Sequence, residues 1–151
     1  MTSTFPYATL ENIKSSSWSL MLDSTAGGDS GSGIGQVVQA FADVHQCLKI
    51  IFGTIPGEDP FRPNFGCDLT SFLDIPLTAA IPAIVAAVTS AIQTWEPRIT
   101  VESVAAEANQ SIPGQLLVTV TWKPNLGLIN QANTVLGNLT QTTVLPVGGT
   151  V

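Results

Sequence analysis

Apolar residues recur at helical spacing in two stretches of the chain and at strand spacing in several others. Val44, Cys47, Leu48, Ile51 and Phe52 fall at i, i+3, i+4, i+7 and i+8, which predicts an amphipathic helix. Asp43 stands where it can cap the start of that helix, and Gly53 where the helix should end. The run AIPAIVAAVTSAIQTW predicts a second helix from near Thr78 to Trp95, with Pro82 tolerated in its first turn and Pro97 as its stop. This helix is apolar nearly all round, which predicts burial.

Leu116, Val118, Val120 and Trp122 alternate with Leu117, Thr119, Thr121 and Lys123, the period of a half-buried strand. Ile99, Val101 and, after a phase change, Val104 supply its partner, and Pro113-Gly114 the turn of a hairpin. Shorter strand patterns occur from Trp18 to Asp23 and in IGQVVQAF from Ile34. Between them STAGGDSGSG, residues 24–33, is a flexible loop by composition. Pro56-Gly57 opens a long proline-rich connection, EDPFRPNFGCDL.

These elements predict an α+β fold with a small, mostly antiparallel sheet packed against two main helices, followed by an extended C-terminal tail. A length of 151 residues suits one domain. The expected division is an N-terminal arm at 1–17, a domain at 18–124 and a C-terminal extension at 125–151. The extension carries no charge, contains the strand-like Thr142-Thr143-Val144-Leu145, and is expected to find order on a partner; the alternative is a disordered tail.

Charge changes the picture. Only 11% of residues are charged, so the surface is sparsely charged and expects neighbours. The formal net charge of -6 repels phosphate backbones and anionic lipid heads, which argues against nucleic-acid and membrane-surface roles. The apolar stretch from Ile75 to Trp95 is broken by Pro76, Pro82, Thr89, Ser90 and Gln93 and reads as a core helix. The N-terminal sequence shows no signal-peptide pattern, so assembly is expected in the cytoplasm.

Catalytic patterns are weak. Gly28-Asp29-Ser30-Gly31 has the look of a serine-protease nucleophile, but such enzymes need a histidine upstream and the sole histidine, His45, lies downstream. His45, Cys47 and Cys67 lack the paired spacing of a zinc site, and Cys47 belongs to the apolar stripe, so buried thiols are the better reading. A glycosidase would need two carboxylates from among Glu58, Asp59, Asp68, Asp74 and Glu96, yet few aromatic residues offer sugar-stacking platforms. Trp18, Trp95 and Trp122 read as core or interface anchors. No catalytic residue, metal or cofactor is expected.

Three segments in a fixed order carry a resemblance: DVHQCLKIIFGTIPGED, then RPNFGCDL, then a long helix ending in WEPRITV with the hairpin strand LLVTVTW. They resemble the contractile-tail baseplate wedge family, the sheath-initiator proteins of contractile phages, phage-like bacteriocins and type VI secretion baseplates. The resemblance implies a structural subunit that docks on the larger wedge subunits and pairs with the first ring of sheath protein, with tube or hub proteins as further neighbours. A lysozyme-like label attached to the family makes a cell-wall glycosidase of the tail the alternative. The family commonly has an arginine after PGE where this chain has Asp59, whereas Arg62 matches the family's later arginine.

The residues of the junction have their own physical reading. Glu96 and Arg98 flank the rigid Pro97 after Trp95, so a partner would meet side chains with little freedom left to lose. Arg98 can present a bidentate fork to a partner carboxylate. The competing reading pairs it inside the domain with Glu96, Glu58 or Asp59. The expected partner-binding set is therefore Trp95, Glu96, Pro97, Arg98 and Arg62, with Thr142, Thr143, Val144 and Leu145 as a pairing strand.

Overall fold

The computed structural model describes residues 8–9, 17–22, 36–72, 75–112, 114–125 and 140–148. The loop at 24–33, most of the arm at 1–17, Asp74, Pro113 and the stretch 126–139 lie outside the described residues. Along the chain run β1 (Ala8–Thr9), β2 (Trp18–Leu20), β3 (Gln36–Gln39), α1 (Phe41–Gly53), a 3-10 turn (Thr70–Phe72), α2 (Leu77–Trp95), β4 (Ile99–Ala108), β5 (Gln115–Pro124) and β6 (Gln141–Gly148).

The class is α+β, as expected, with two small antiparallel sheets where one was expected: β1-β3-β2 and β4-β5-β6. In the second, β5 is central and the β4–β5 hairpin forms as its alternation requires: Leu116, Val118, Val120 and Trp122 are buried and their neighbours half-exposed. The phase change in β4 is a bulge at Glu102, between the pairs Val101–Trp122 and Ser103–Thr121.

Helix α1 differs from expectation at its start. It begins at Phe41, so Asp43 lies inside the first turn, and the capping position is Ala40, with φ 51° and no side-chain cap bond. Asp43 is freed for other work, described below. Val44, Leu48 and Ile51 form the buried stripe, with Cys47 and Phe52 at its margins.

Helix α2 is buried on one face only. Ala80, Ile84, Val88, Ala91 and Ile92 pack inward against β4 and α1, and each fully buried large residue adds roughly 1.5–3 kcal/mol. Ala79, Pro82 and Ala86 face outward, so an apolar composition did not secure burial all round. Its length and hydropathy would let it cross a membrane, but here it carries the core stripe of the domain. Pro82 sits beyond the first turn, where its missing N–H leaves the exposed Thr78 carbonyl to solvent.

The C-terminal strand corrects the expectation that this segment finds order on a partner. Strand β6 pairs antiparallel with β5 of its own chain, from Gln115–Gly148 to Trp122–Gln141. Thr143, Leu145 and Val147 turn into the core, while Thr142, Val144 and Pro146 face outward. The physical reason is the two-residue alternation of the strand itself, which gives it one apolar face that β5 and the helices can cover. Trp122, fully buried on β5, donates its Nε1–H to Thr143 Oγ1 at 3.0 Å. That hydroxyl also lies 2.6 Å from His45 Nδ1 on α1.

Candidate docking site

The connection after α1 is built from tight local bonds. Ile55-Pro56-Gly57-Glu58 is a type II-like turn: the Glu58 N–H donates to Ile55 O at 3.0 Å, and Gly57 takes the positive φ of 100° that the turn needs. Asp59 accepts from the Phe61 N–H and from Arg62 Nε, each at 2.9 Å. These bonds hold its carboxyl below the usual carboxylate range. Asp59 thus orients Arg62, whose guanidinium lies 4.2 Å from the centre of the Phe65 ring. Phe65 meets Trp95 edge-to-face at 5.2 Å.

Gly66 closes this loop. Its φ is 110°, and a Cβ there would lie 2.1 Å from the Thr54 carbonyl oxygen, which accepts the Cys67 N–H. Only glycine permits that approach, which is the physical content of the FG pair in RPNFGCDL.

The turn after α2 is held from below. Glu96 closes the helix by donating its N–H to Ile92 O at 2.8 Å, and Asn125 at the end of β5 bonds the carbonyls of Pro97 and Arg98. Glu96 is 3% exposed and Asp43 2% exposed. Arg98 answers both: Nε and Nη2 grip the two Glu96 oxygens at 2.6 Å, and Nη1 reaches Asp43 Oδ2 at 2.5 Å. Nη1 also meets Ser17 Oγ at 2.6 Å and Nη2 meets Cys47 Sγ at 3.2 Å. The bonds to Glu96 and then Asp43 raise the guanidinium pKa, so Arg98 stays charged. Its five N–H groups all have partners within the chain. Asp43 Oδ1 has none.

Between the two motifs lies a cleft of about 370 Å³. Ile50, Ile51, Phe65, Trp95 and Pro97 give it apolar walls, with Arg62, Arg98, Glu96 and Cys47 also lining it. Phe61, next to Arg62, is 93% exposed. Burial raises the Cys47 thiol pKa and pushes that of Cys67 up to about 11, so both are inert near neutrality. Among the described residues no group of three His, Cys, Asp or Glu side chains could hold a metal ion.

The structure thus brings Trp95, Glu96, Pro97, Arg98 and Arg62 to one cleft, and places Thr142, Thr143, Val144 and Leu145 apart from it on β6. Of the two sequence readings of Arg98, its donors follow the intradomain one through Glu96. Neither Glu58 nor Asp59 takes part: Glu58 accepts from the Ile55 N–H and Asp59 pairs with Arg62. Sequence reasoning missed Asp43, Ser17 and Cys47 as the rest of the Arg98 cluster, and Phe61 as an exposed ring. A carboxylate on the same helical stripe region as Val44 was the available signal, because an acid there needs a cation.

Residues 38–125 match the family described as baseplate wedge protein gp25, and the chain belongs to that family. Baseplate protein W of Escherichia phage P2 is 33% identical over 92 residues, spanning 60% of this chain and 78% of that protein. A crystal structure from Geobacter sulfurreducens described as a tail lysozyme is 26% identical, with a TM-score of 0.51, 72% of this chain and 92% of that one being covered. A chain of the type VI secretion baseplate complex superposes with a TM-score of 0.55 at 16% identity, over 72% of this chain and 92% of that one. A chain of the postcontracted pyocin R2 baseplate does so at 0.53 and 23%, over 64% and 97%. These last two show the fold alone. The chain is a structural baseplate subunit of a contractile tail or related particle, and it assembles with other baseplate proteins.

Proposed function

We propose that this subunit is not an enzyme, is assembled into the baseplate in the cytoplasm, docks on the larger wedge subunits through the cleft beside Trp95–Arg98, and templates the first sheath ring with its C-terminal sheet. The cleft is the observation that carries the docking half. Its apolar walls and its two arginines stand on backbone already fixed by Gly66, Pro97 and Asn125, so a partner segment would enter a preorganised site. Arg98 acts there as an internal brace for Glu96 and Asp43, while Trp95, Pro97, Arg62 and the exposed Phe61 supply contact surface.

The Geobacter relative's description gives the glycosidase reading its one support. Against it, the described carboxylates with displaced pKa values, Asp59, Asp68 and Glu102, are all displaced downward by hydrogen bonds, whereas a general acid needs the opposite. Both Glu96 oxygens are held by Arg98. Electron microscopy of particles from a producer strain lacking this gene is the test: missing sheaths or unassembled baseplates are expected. Normal sheathed particles would overturn the structural reading, and turnover of peptidoglycan by the purified chain would overturn the non-enzymatic one.

A further inference from the structure

The small sheet β1-β3-β2 is tied to the docking turn through one residue. Ser17, just before β2, donates its hydroxyl to Asp43 Oδ2 at 2.8 Å and accepts from Arg98 Nη1 at 2.6 Å. Its carbonyl accepts the Ala40 N–H at 3.0 Å. Arg98 lines the cleft, so β2 starts at the cleft's rim. Gln46 of α1 then clasps the strand: its Nε2 donates to Ser19 Oγ at 3.0 Å and to Leu20 O at 2.7 Å, and its Oε1 accepts the Leu22 N–H at 3.0 Å.

Side chains alternate along an extended chain, so with Ser19 turned to α1, Trp18, Leu20 and Leu22 point the other way. They are 45%, 55% and 68% exposed, and residues 17–22 carry no charge. Successive members of this row stand roughly 7 Å apart. Leu20 pairs with Val37 of β3, which carries the apolar character across the same face. Single apolar residues are ordinary on a surface, but three in line on backbone already fixed to α1 and to the turn have little freedom left to lose on binding. The row also precedes residues 38–125, the part of the chain that matches the wedge family.

We infer that Trp18, Leu20 and Leu22 form a second contact surface for the larger wedge subunit that enters the cleft, and that they take an uncharged, apolar patch of it. The inference rests on the proposed docking role and adds to it a second surface and the chemistry of what covers it. Continuity and charge select the occupant. A subunit seated against Arg98 lies one residue from Trp18, because Ser17 touches that guanidinium. A second copy of this chain would instead bring another net charge of -6 toward the first. Trp18 is the anchor of the row, since tryptophan offers the largest apolar area of any side chain together with a polar N–H.

The test is copurification of the full chain with the large wedge subunit. Leu20→Glu and Leu22→Glu each set an unpaired carboxylate on the row, and both keep the Gln46 clasp, which holds only backbone groups of these two residues. Recovery of the wedge subunit should fall about ten-fold or more with either variant. Trp18→Ser should do the same, while Trp18→Phe, which keeps a ring, should bind nearly as the wild type. Melting curves of the purified Leu20→Glu and Leu22→Glu chains should match the wild type. Undiminished recovery with the folded glutamate variants would overturn the inference, and should Leu20→Glu unfold the chain, the more exposed Leu22→Glu decides. A wild-type chain that sediments alone as a dimer, and that Leu22→Glu returns to monomer, would overturn it in favour of a second copy. Binding lost with Phe61→Ser but kept with both glutamates would sink the second surface and leave the cleft standing. Failure of the wild-type chain to recover the wedge subunit would sink the docking role itself, and the inference with it.

Discussion

The turn at residues 96–98 and the outer edge of β6 make an instructive pair. At the turn, one guanidinium stands between two nearly inaccessible carboxylates, and all five of its donors end on the chain's own acceptors. At the edge there is no charge, and every second backbone group of β6 lies away from its partner strand. The residues that look most specialised are thus satisfied internally, and among the described residues nothing pairs with the outer backbone groups of the ordinary ones. Buried ions must be compensated within the fold if it is to exist before assembly. Backbone groups at an edge can wait in water for a partner at little cost.

The sharpest way to break this comparison is Arg98→Ala. It leaves Asp43 and Glu96 buried without a cation and should cost about 3 kcal/mol, toward the low end for a broken buried pair because the arginine is partly open to solvent. Urea unfolding of the purified chain checks it; unchanged stability with lost wedge binding would make the arginine a partner contact after all. Next in size is Thr143→Val. It deprives the buried Trp122 Nε1–H of its acceptor, for a loss of about 2 kcal/mol, and should speed hydrogen exchange in β6 more than in α1.

A smaller effect is set by His45. Burial, and then the nearby Lys49, lower its pKa from the ordinary 6.5. The unfolded chain therefore binds the proton more readily, so this contribution to stability is complete above pH 6.5 and is lost as pH falls through the lowered folded value. Protonation would also change the donor pattern at Thr143, which Trp122 already uses. His45→Gln should flatten the decline in melting temperature below pH 6.5, while leaving the neutral-pH value close to that of the wild type.

Much of the architecture was legible because it rests on period. Both helices and the hairpin follow from spacing, and the TTVL strand from its β-favouring residues. What pattern could not give is partnership across the chain. Asp43 stands in the position of a helix cap, yet Arg98, 55 residues away, claims it. The tail's lack of charge suggested an extension that finds order on a partner, but a neutral strand also suits a core-facing ladder, and β5 was near enough to take it. Helix α2 shows the converse: its apolar composition persists on a face that the described residues leave uncovered.

Phe61 provides the finest probe, because its expected effect on stability is the smallest. The ring is 93% exposed, so Phe61→Ser removes almost no buried area and should change unfolding free energy by less than about 0.5 kcal/mol. The backbone around it is held independently, through Asp59 to the Phe61 N–H and Arg62 and through Arg62 to Phe65. An exposed aromatic on so fixed a loop has lost little freedom to begin with, which suits an interface anchor. Copurification with the large wedge subunit should therefore weaken while the melting curve does not move. If neither changes, the motif-bearing half of the molecule is internal throughout, and the burden of assembly passes to the sheet edge.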